Sequence, residues 1–249
     1  MNMIKTQREI ALMRKGGKIL AAVVEELKQE VRPGVSTYFL DEQAELKIRK
    51  AGATPAFLRY EGFPKTLCAS VNEEIVHIIP SQRILKEGDI VTLDLGLIWE
   101  GRYLDMARTI PVGKISKEAI KLIQVTQEAL NLGIAEARHG NTLGDIGSVI
   151  QKYVEGHQYG VVRDLCGHGI GKDLHEDPKV LNYGEKGTGM VLKEGMVICI
   201  EPMVTAGDWH LKKAKDGYGF ETKDGSLSCH FEDTVAITSK GPEVLTRVK

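Results

Sequence analysis

Two histidines and three glycines share one short run, Cys166-Gly-His-Gly-Ile-Gly-Lys-Asp-Leu-His-Glu-Asp177. A neutral imidazole binds a metal through one nitrogen or carries a proton, so His168 and His175, seven residues apart, are candidates for either task. Gly167, Gly169 and Gly171 each give up folding entropy that a side chain would save, which implies a backbone that bends tightly or is closely approached. Four acids sit where acids are costly. Asp94 interrupts the apolar run Ile90–Gly96, Glu201 ends Met196-Val-Ile-Cys-Ile, and Glu232 lies in the apolar-rich stretch Ser226–Thr238. A charged carboxylate in such a run is expected to be paired or bound to a metal. Asp105 follows Asp94 by eleven residues across an expected hairpin. A four-residue loop from Ile98 to Gly101 would set the two directly opposite, with Cβ atoms about 5 Å apart. A cation between them removes the repulsion. His230 and Glu232, two apart, share one face of their strand. Any one of these acids alone reads as a solvated strand end; together with the glycine-histidine loop they read as a metal site.

The elements that must position them can be read in order. Thr6-Gln-Arg-Glu9 is a capping box, and Ile10, Met13, Ile19, Leu20, Val23, Val24 and Leu27 give the helical spacing that follows. Arg32-Pro33-Gly34 ends that helix, and Ser36 or Thr37 caps a second one running to Gly52. Residues 66–79 read as extended, with a turn at Asn72. Leu85-Lys-Glu-Gly then turns into a strand that reaches Asp94. The order returns: a helix over 117–138 ending at Arg138-His139-Gly140, a helix capped by Thr142 that reaches 156–160, and Leu192-Lys-Glu-Gly leading to Glu201. Arg32-x-Gly34 matches Arg138-x-Gly140, Leu85-Lys-Glu-Gly matches Leu192-Lys-Glu-Gly, and both recur at an offset of about a hundred residues. The expected architecture is α+β. It is one domain, 1–249, with an internal repeat over roughly 6–112 and 113–249 and its two halves packed face to face.

Composition narrows the partners. A net charge of -1 over 249 residues argues against a broad electrostatic grip on nucleic acid or membrane. The four cysteines (Cys68, Cys166, Cys199, Cys229) contain no C-x-x-C pair, so neither a zinc knuckle nor a disulfide framework is indicated, and reduced thiols fit the cytosol. Met1–Lys15 has no apolar core run of a signal peptide, and no window approaches 18 uncharged apolar residues. A soluble, cytoplasmic monomer is expected, since no heptad or strongly apolar helix face stands out. His139 and His157 read as helix-end residues, His210 as part of a surface loop, and Cys166 and Cys199 as small buried side chains. Lys212–Lys215 reads as a solvated turn that could dock transiently on the ribosome.

The set Asp94, Asp105, His168, Glu201 and Glu232, with the strings CGHGIG, LHEDP, IEP and DGSLS-x-x-FE-x-T, resembles type I methionine aminopeptidase of the pita-bread metallopeptidases. The likeness runs from the first helix to Val248. It implies the pita-bread fold, two pseudo-symmetric halves around a curved antiparallel sheet with helices outside. It also implies a centre of two divalent ions, Co, Mn, Fe or Zn. Asp94 would hold one ion, His168 and Glu201 the other, and Asp105 and Glu232 would bridge. A hydroxide between the ions would attack the first peptide bond, with Glu201 as ligand and proton acceptor. His175 would donate to the oxyanion, and His77 would contact the scissile amide and assist the leaving nitrogen. Tyr60, Phe63, Cys68, Leu174 and Tyr218, with His77 and His175, would line the site that takes the methionine of a peptide or nascent chain. Thirty residues separate Glu201 from Glu232, too few for the helical insertion of type II enzymes.

The chain departs from that pattern at Ile78, Leu104, Met106, Leu174 and Asp233, changes expected to crowd the ligands. Two other readings remain at this level: a proline-cleaving aminopeptidase, and a binding protein on the same scaffold that has lost catalysis.

Overall fold

The computed structural model describes residues 3–247; the limits of the expected 1–249 domain and Val248 lie outside the described residues. Among the described residues the α-helices are α1 (Gln7–Lys28), α2 (Thr37–Lys50), α3 (Lys117–Glu136) and α4 (Leu143–Gly156). Thr6 and Glu9 form the reciprocal capping box at α1, and Thr142 and Asp145 form another at α4, each satisfying N–H groups that the first turn leaves unpaired. Ser36 caps α2, and Ser116 caps α3.

The first half supplies strands β1 (Thr54–Pro55), β2 (Leu67–Val71), β3 (Glu74–Val76), β4 (Ile90–Trp99) and β5 (Arg102–Pro111). The second supplies β6 (Gly160–Val161), β7 (Gly167–Gly169), β8 (Glu176–Val180), β9 (Val197–Ile200) and β10 (Met203–Thr205). It continues with β11 (Leu211–Lys213), β12 (Phe220–Thr222), β13 (Ser228–His230), β14 (Glu232–Thr238) and β15 (Gly241–Val244). Nine strands form one sheet in the order β1-β4-β5-β14-β9-β7-β8, with β2 on β4 and β15 on β14, and the pairings are antiparallel. The halves meet where β5 pairs with β14. Thr234 pins that seam, its hydroxyl donating to the Asp105 carbonyl at 2.8 Å and accepting the Asp105 N–H at 3.1 Å.

There are two main apolar layers, each drawn largely from one half. Met13, Leu20 and Val24 of α1 and Leu40 and Ile48 of α2 pack on Leu93, Leu95 and Leu97 of β4. Leu122 and Leu130 of α3 and Ile146 and Ile150 of α4 pack on Ile198 and Ile200 of β9 and Val235 of β14. The repeated strings adopt matching backbones. The Gly34 N–H donates to the Leu85 carbonyl at 2.9 Å, and Gly140 N–H to the Leu192 carbonyl at 3.0 Å. Gly88 (φ +94°) and Gly195 (φ +90°) both take the left-handed turn that L side chains resist.

Three expectations are corrected. The hairpin turn is the two-residue Glu100-Gly101, both at positive φ, instead of a four-residue loop. Asp94 therefore faces Ala107, and Asp105 faces Gly96, so the two aspartates are diagonal neighbours. The stretch Ser226–Thr238 is not one strand: the chain changes sheets at Phe231, β13 pairing with β10 and β14 with β5 and β9. Lys212 and Lys213 lie in strand β11, paired to β12, where Lys212 meets Glu221 at 3.4 Å and Lys213 sits 3.9 Å over the Phe220 ring.

Candidate metal centre

Strand alternation aims four carboxylates at one point. Asp94 on β4 and Asp105 on β5 project to the same face, Glu232 opens β14 next to β5, and Glu201 follows the end of β9. All four residues are buried, at 6%, 4%, 2% and 8% exposure, a density of acid that has no place in an apolar interior without a counter-charge. One oxygen each of Asp94, Asp105 and Glu232 has no hydrogen-bond partner. One oxygen from each of these three residues can lie within 4.8 Å of the others.

The glycine-rich loop brings His168 to this cluster. None of Gly167, Gly169 and Gly171 has a positive φ, so the glycines serve close approach rather than a tight bend. A Cβ on Gly167 would strike the Cys199 carbonyl, and one on Gly169 the Asp177 carbonyl. His168 Nδ1 lies 2.9 Å from the Gly169 carbonyl. A carbonyl only accepts, so Nδ1 carries the proton and the Nε2 lone pair is free toward Glu201 Oε1, 3.6 Å away. Asn182 fixes the backbone of Glu201 by donating to its carbonyl at 3.0 Å.

Electrostatics follow from the crowding. Burial lifts the Asp94 carboxyl to about 6, and holds Asp105, Glu201 and Glu232 well above the ordinary carboxylate range, with neighbouring carboxylates adding to each. Burial, then His175, pushes His168 down to about 3, so its imidazole is neutral at any ordinary pH. His175 is likewise lowered by burial, and its Nδ1 lies 3.2 Å from the Tyr60 hydroxyl. His77 opens toward the same cleft on a left-handed backbone (φ +59°), a conformation histidine tolerates better than most residues. Its place in the cleft, then His175 and His230, hold its pKa below the usual range.

These groups line a cleft of about 650 Å³. Tyr60, Phe63, Cys68, Leu174 and Tyr218, the expected methionine-pocket residues, all border it, as do His77 and His175. Phe63 and Tyr218 meet edge to face at 5.6 Å, and the Tyr218 hydroxyl donates to the Gly62 carbonyl at 3.0 Å. Cys166 is half-buried on the cleft wall, where the sequence reading had it buried. Lys5, buried, donates to Glu176 at 2.8 Å and ties the loop bearing His175 to the N-terminal segment.

Residues 11–239 match the metallopeptidase family M24. The chain belongs to that family. It is 50% identical over 249 residues to the methionine aminopeptidase of Clostridium perfringens, with 100% of both chains covered. It is 49% identical over 244 residues to methionine aminopeptidase 1 of Bacillus subtilis, covering 98% of each. The crystal structure of methionine aminopeptidase from Rickettsia prowazekii superposes with a TM-score of 0.96 at 43% identity, over 98% of this chain and 99% of that one. The fold is that of the pita-bread enzymes.

An M24 metallopeptidase uses divalent metal, and the donor set of this one fits such an ion: orphaned carboxylate oxygens around a point, with a lone-pair nitrogen alongside. Most departures from the family pattern turn away from the buried carboxylates. Leu104 and Met106 alternate away from Asp105 into the α1 core, where Leu104 fills the space that a side chain on Gly16 would need. Asp233 alternates away from Glu232 and takes Arg108 at 2.6 Å, Thr246 at 2.9 Å and Arg247 at 2.9 Å. The expected crowding by these three is thus corrected; the strand pleat turns them to the face away from the carboxylates. Sequence reasoning placed His230 beside Glu232 but left it out of the ligand set. It is 1% exposed, and neither of its nitrogens has a hydrogen-bond partner.

Proposed function

We infer that this protein is a metal-dependent aminopeptidase that removes the N-terminal methionine of newly made proteins, with Asp94, Asp105, His168, Glu201 and Glu232 holding two divalent ions. One observation carries the reading. Carboxylates with orphaned oxygens line a cleft whose walls also include apolar and aromatic side chains, a lining that suits an unbranched thioether. The matched relatives, covered over nearly their full length, bear that name, which favours this over the proline-cleaving and non-catalytic readings.

Bound there, such ions supply a nucleophilic water at neutral pH and positive charge opposite an oxygen that turns negative. The chain supplies the rest. Glu201 accepts the proton of the attacking water, its carboxylate made basic by burial and by Asp94. In the tautomer whose Nδ1 accepts from the Tyr60 hydroxyl, His175 carries its proton on Nε2 and offers it to the developing oxyanion. His77 contacts the scissile amide and assists departure of its nitrogen. Phe63, Tyr218, Tyr60, Leu174 and Cys68 desolvate the methionine side chain and so select it. Oxygen donors dominate the set, which suits Mn, Fe or Co as well as Zn.

The two halves act as one catalytic domain with an internal repeat, supported by the matched turns at Gly88 and Gly195. Monomeric action in the cytoplasm on emerging chains accords with this chemistry. The exposed Lys212-Lys213 strand, where Lys213 donates to the Tyr218 carbonyl, is the surface suited to transient ribosome contact. No helix among the described residues is long and apolar enough to cross a membrane.

The test is methionine release from Met-Ala-Ser by metal-stripped protein given Mn, Fe, Co or Zn in turn, with Ala-Pro-Ser as control. Metal-dependent release with the control untouched is expected; cleavage of the control moves the protein to the proline branch. Glu201→Gln should abolish turnover and keep the fold, whereas an unchanged biological activity would point to a binding protein.

A further inference from the structure

His230 is a large polar side chain, 1% exposed, with neither ring nitrogen hydrogen-bonded. An imidazole buried in that state costs free energy, because one N–H and one lone pair both go unmatched. The ring lies beside the carboxylates. Its Nε2 is 3.6 Å from Glu201 Oε2 and 4.0 Å from Glu232 Oε2, too far in each case for a hydrogen bond. Those lengths suit donors that share an ion: two atoms each about 2.1 Å from one metal lie roughly 3–4 Å apart. One donor atom each from Glu201, His230 and Glu232 can fall within 4.8 Å of the others. Glu201 is thereby flanked by two imidazoles, His168 facing Oε1 and His230 facing Oε2.

The fold explains how the ring arrives there. At Phe231 the chain leaves β13 for β14, so His230 ends one strand of the small sheet while Glu232 begins a strand of the large one. The Thr109 hydroxyl accepts the His230 N–H at 3.1 Å and donates to the His230 carbonyl at 2.9 Å, which fixes the backbone on both sides.

We propose that His230 is a direct metal ligand, a second imidazole that binds, from the side of Glu201 opposite His168, a divalent ion held between Glu201 and Glu232. This rests on the metallopeptidase reading and adds a donor to it. A set with two nitrogens is softer than one with a single nitrogen, so Zn and Co gain over Mn.

The test uses full-length metal-stripped protein, titrated with Zn(II), Co(II) and Mn(II) by calorimetry. X-ray absorption on the Zn- and Co-loaded forms counts the imidazoles bound. His230→Gln keeps the side chain polar and similar in size but removes the ring nitrogen; His230→Asn serves if the first variant misfolds by circular dichroism. The expected result is two imidazoles in the wild type and one in the variant, at the same overall metal count. Zn affinity should fall at least about 10-fold, the low end for metal-site residues, with Mn affinity moving less. An unchanged imidazole count and unchanged Zn affinity would overturn the role of His230 and leave the metallopeptidase reading intact. Failure of the wild type itself to bind any of the three ions would overturn both.

Discussion

The two halves of the molecule are alike where charge is placed and unlike where a substrate would be held. In each, a helix pair backs a strand introduced by Leu-Lys-Glu-Gly, with the glycine near φ +90°, and an acid ends or interrupts that strand: Asp94 in one half, Glu201 in the other. Each acid has a second beyond it, Asp105 and Glu232. Between the first pair lies a two-residue turn; between the second lie thirty residues. Those thirty residues build most of two small sheets, β13-β10-β6 and β11-β12-β3, and bring Met203, Tyr218 and His230 to the cleft. The glycine-histidine loop, with His168 and His175, also belongs to the second half alone. Symmetry thus arranges the carboxylates, and departures from it add imidazoles, walls and selectivity.

The largest test of that division removes one shared acid from each half. Asp105→Ala and Glu232→Ala should each lower methionine release by roughly 10³-fold, comparable to deleting a group that stabilises the transition state directly. A steady-state assay showing one of them dispensable would break the equivalence. Next comes the seam. Asp233 on β14 is fully buried and holds Arg108 on β5, whose guanidinium also donates to the Glu232 carbonyl at 2.5 Å. Asp233→Ala should cost about 3 kcal/mol by denaturant unfolding, as for other buried pairs left with one partner. A loss below ~1 kcal/mol would mean the halves do not depend on this link.

The pH response should come third. The folded pKa of Asp94 is raised to about 6 by burial, and those of Asp105, Glu201 and Glu232 are raised well above the ordinary carboxylate range, by burial first. Raised acids keep protons in the fold that the unfolded chain has lost, so their stabilisation is full below the unfolded pKa values and fades as pH rises through the folded ones. Above pH 6.5 the lowered histidines no longer oppose this, being neutral in both states. As pH rises above 6.5, metal-free protein should lose up to about 1.4 kcal/mol per pH unit for each acid that still keeps its proton in the fold, and metal should flatten the slope. Thermal melts with and without chelator decide it. The smallest effect compares the twin turns. Gly88→Ala meets open space and should cost ~1 kcal/mol for its left-handed backbone. Gly195→Ala also meets Ile4 Cγ2 at 2.8 Å and should cost ~2 kcal/mol, read from melting curves.

Much of this was legible in the chain. Both helix starts at Thr6 and Thr142 carry reciprocal capping pairs, and the repeated tetrapeptide marks equivalent turns. Acids in apolar runs announced the centre because burial of charge is so costly. The hairpin register was missed because Glu100 at positive φ does not look like the Asn or Asp usual there, and a two-residue change in loop length re-pairs every position. The sheet change at Phe231 left no trace, since both flanking strands are apolar and read as one run. Leu104, Met106 and Asp233 were judged by nearness in sequence to the ligands, whereas the pleat sends alternate residues to opposite faces.

The tight turn at Glu100-Gly101 also sets an order of events. Ten-residue strands joined by two residues pair with each other locally, so β4 and β5 can zip early and at small entropic cost. Glu201 and Glu232 reach them only after the long second-half excursion has closed. The early hairpin offers two diagonal aspartates and no nitrogen, a poor trap for any cation. If Asp94, Asp105, Glu201 and Glu232 hold the ions together as proposed, capture would follow the long-range pairing of β14 with β5 that brings the second-half acids to the first.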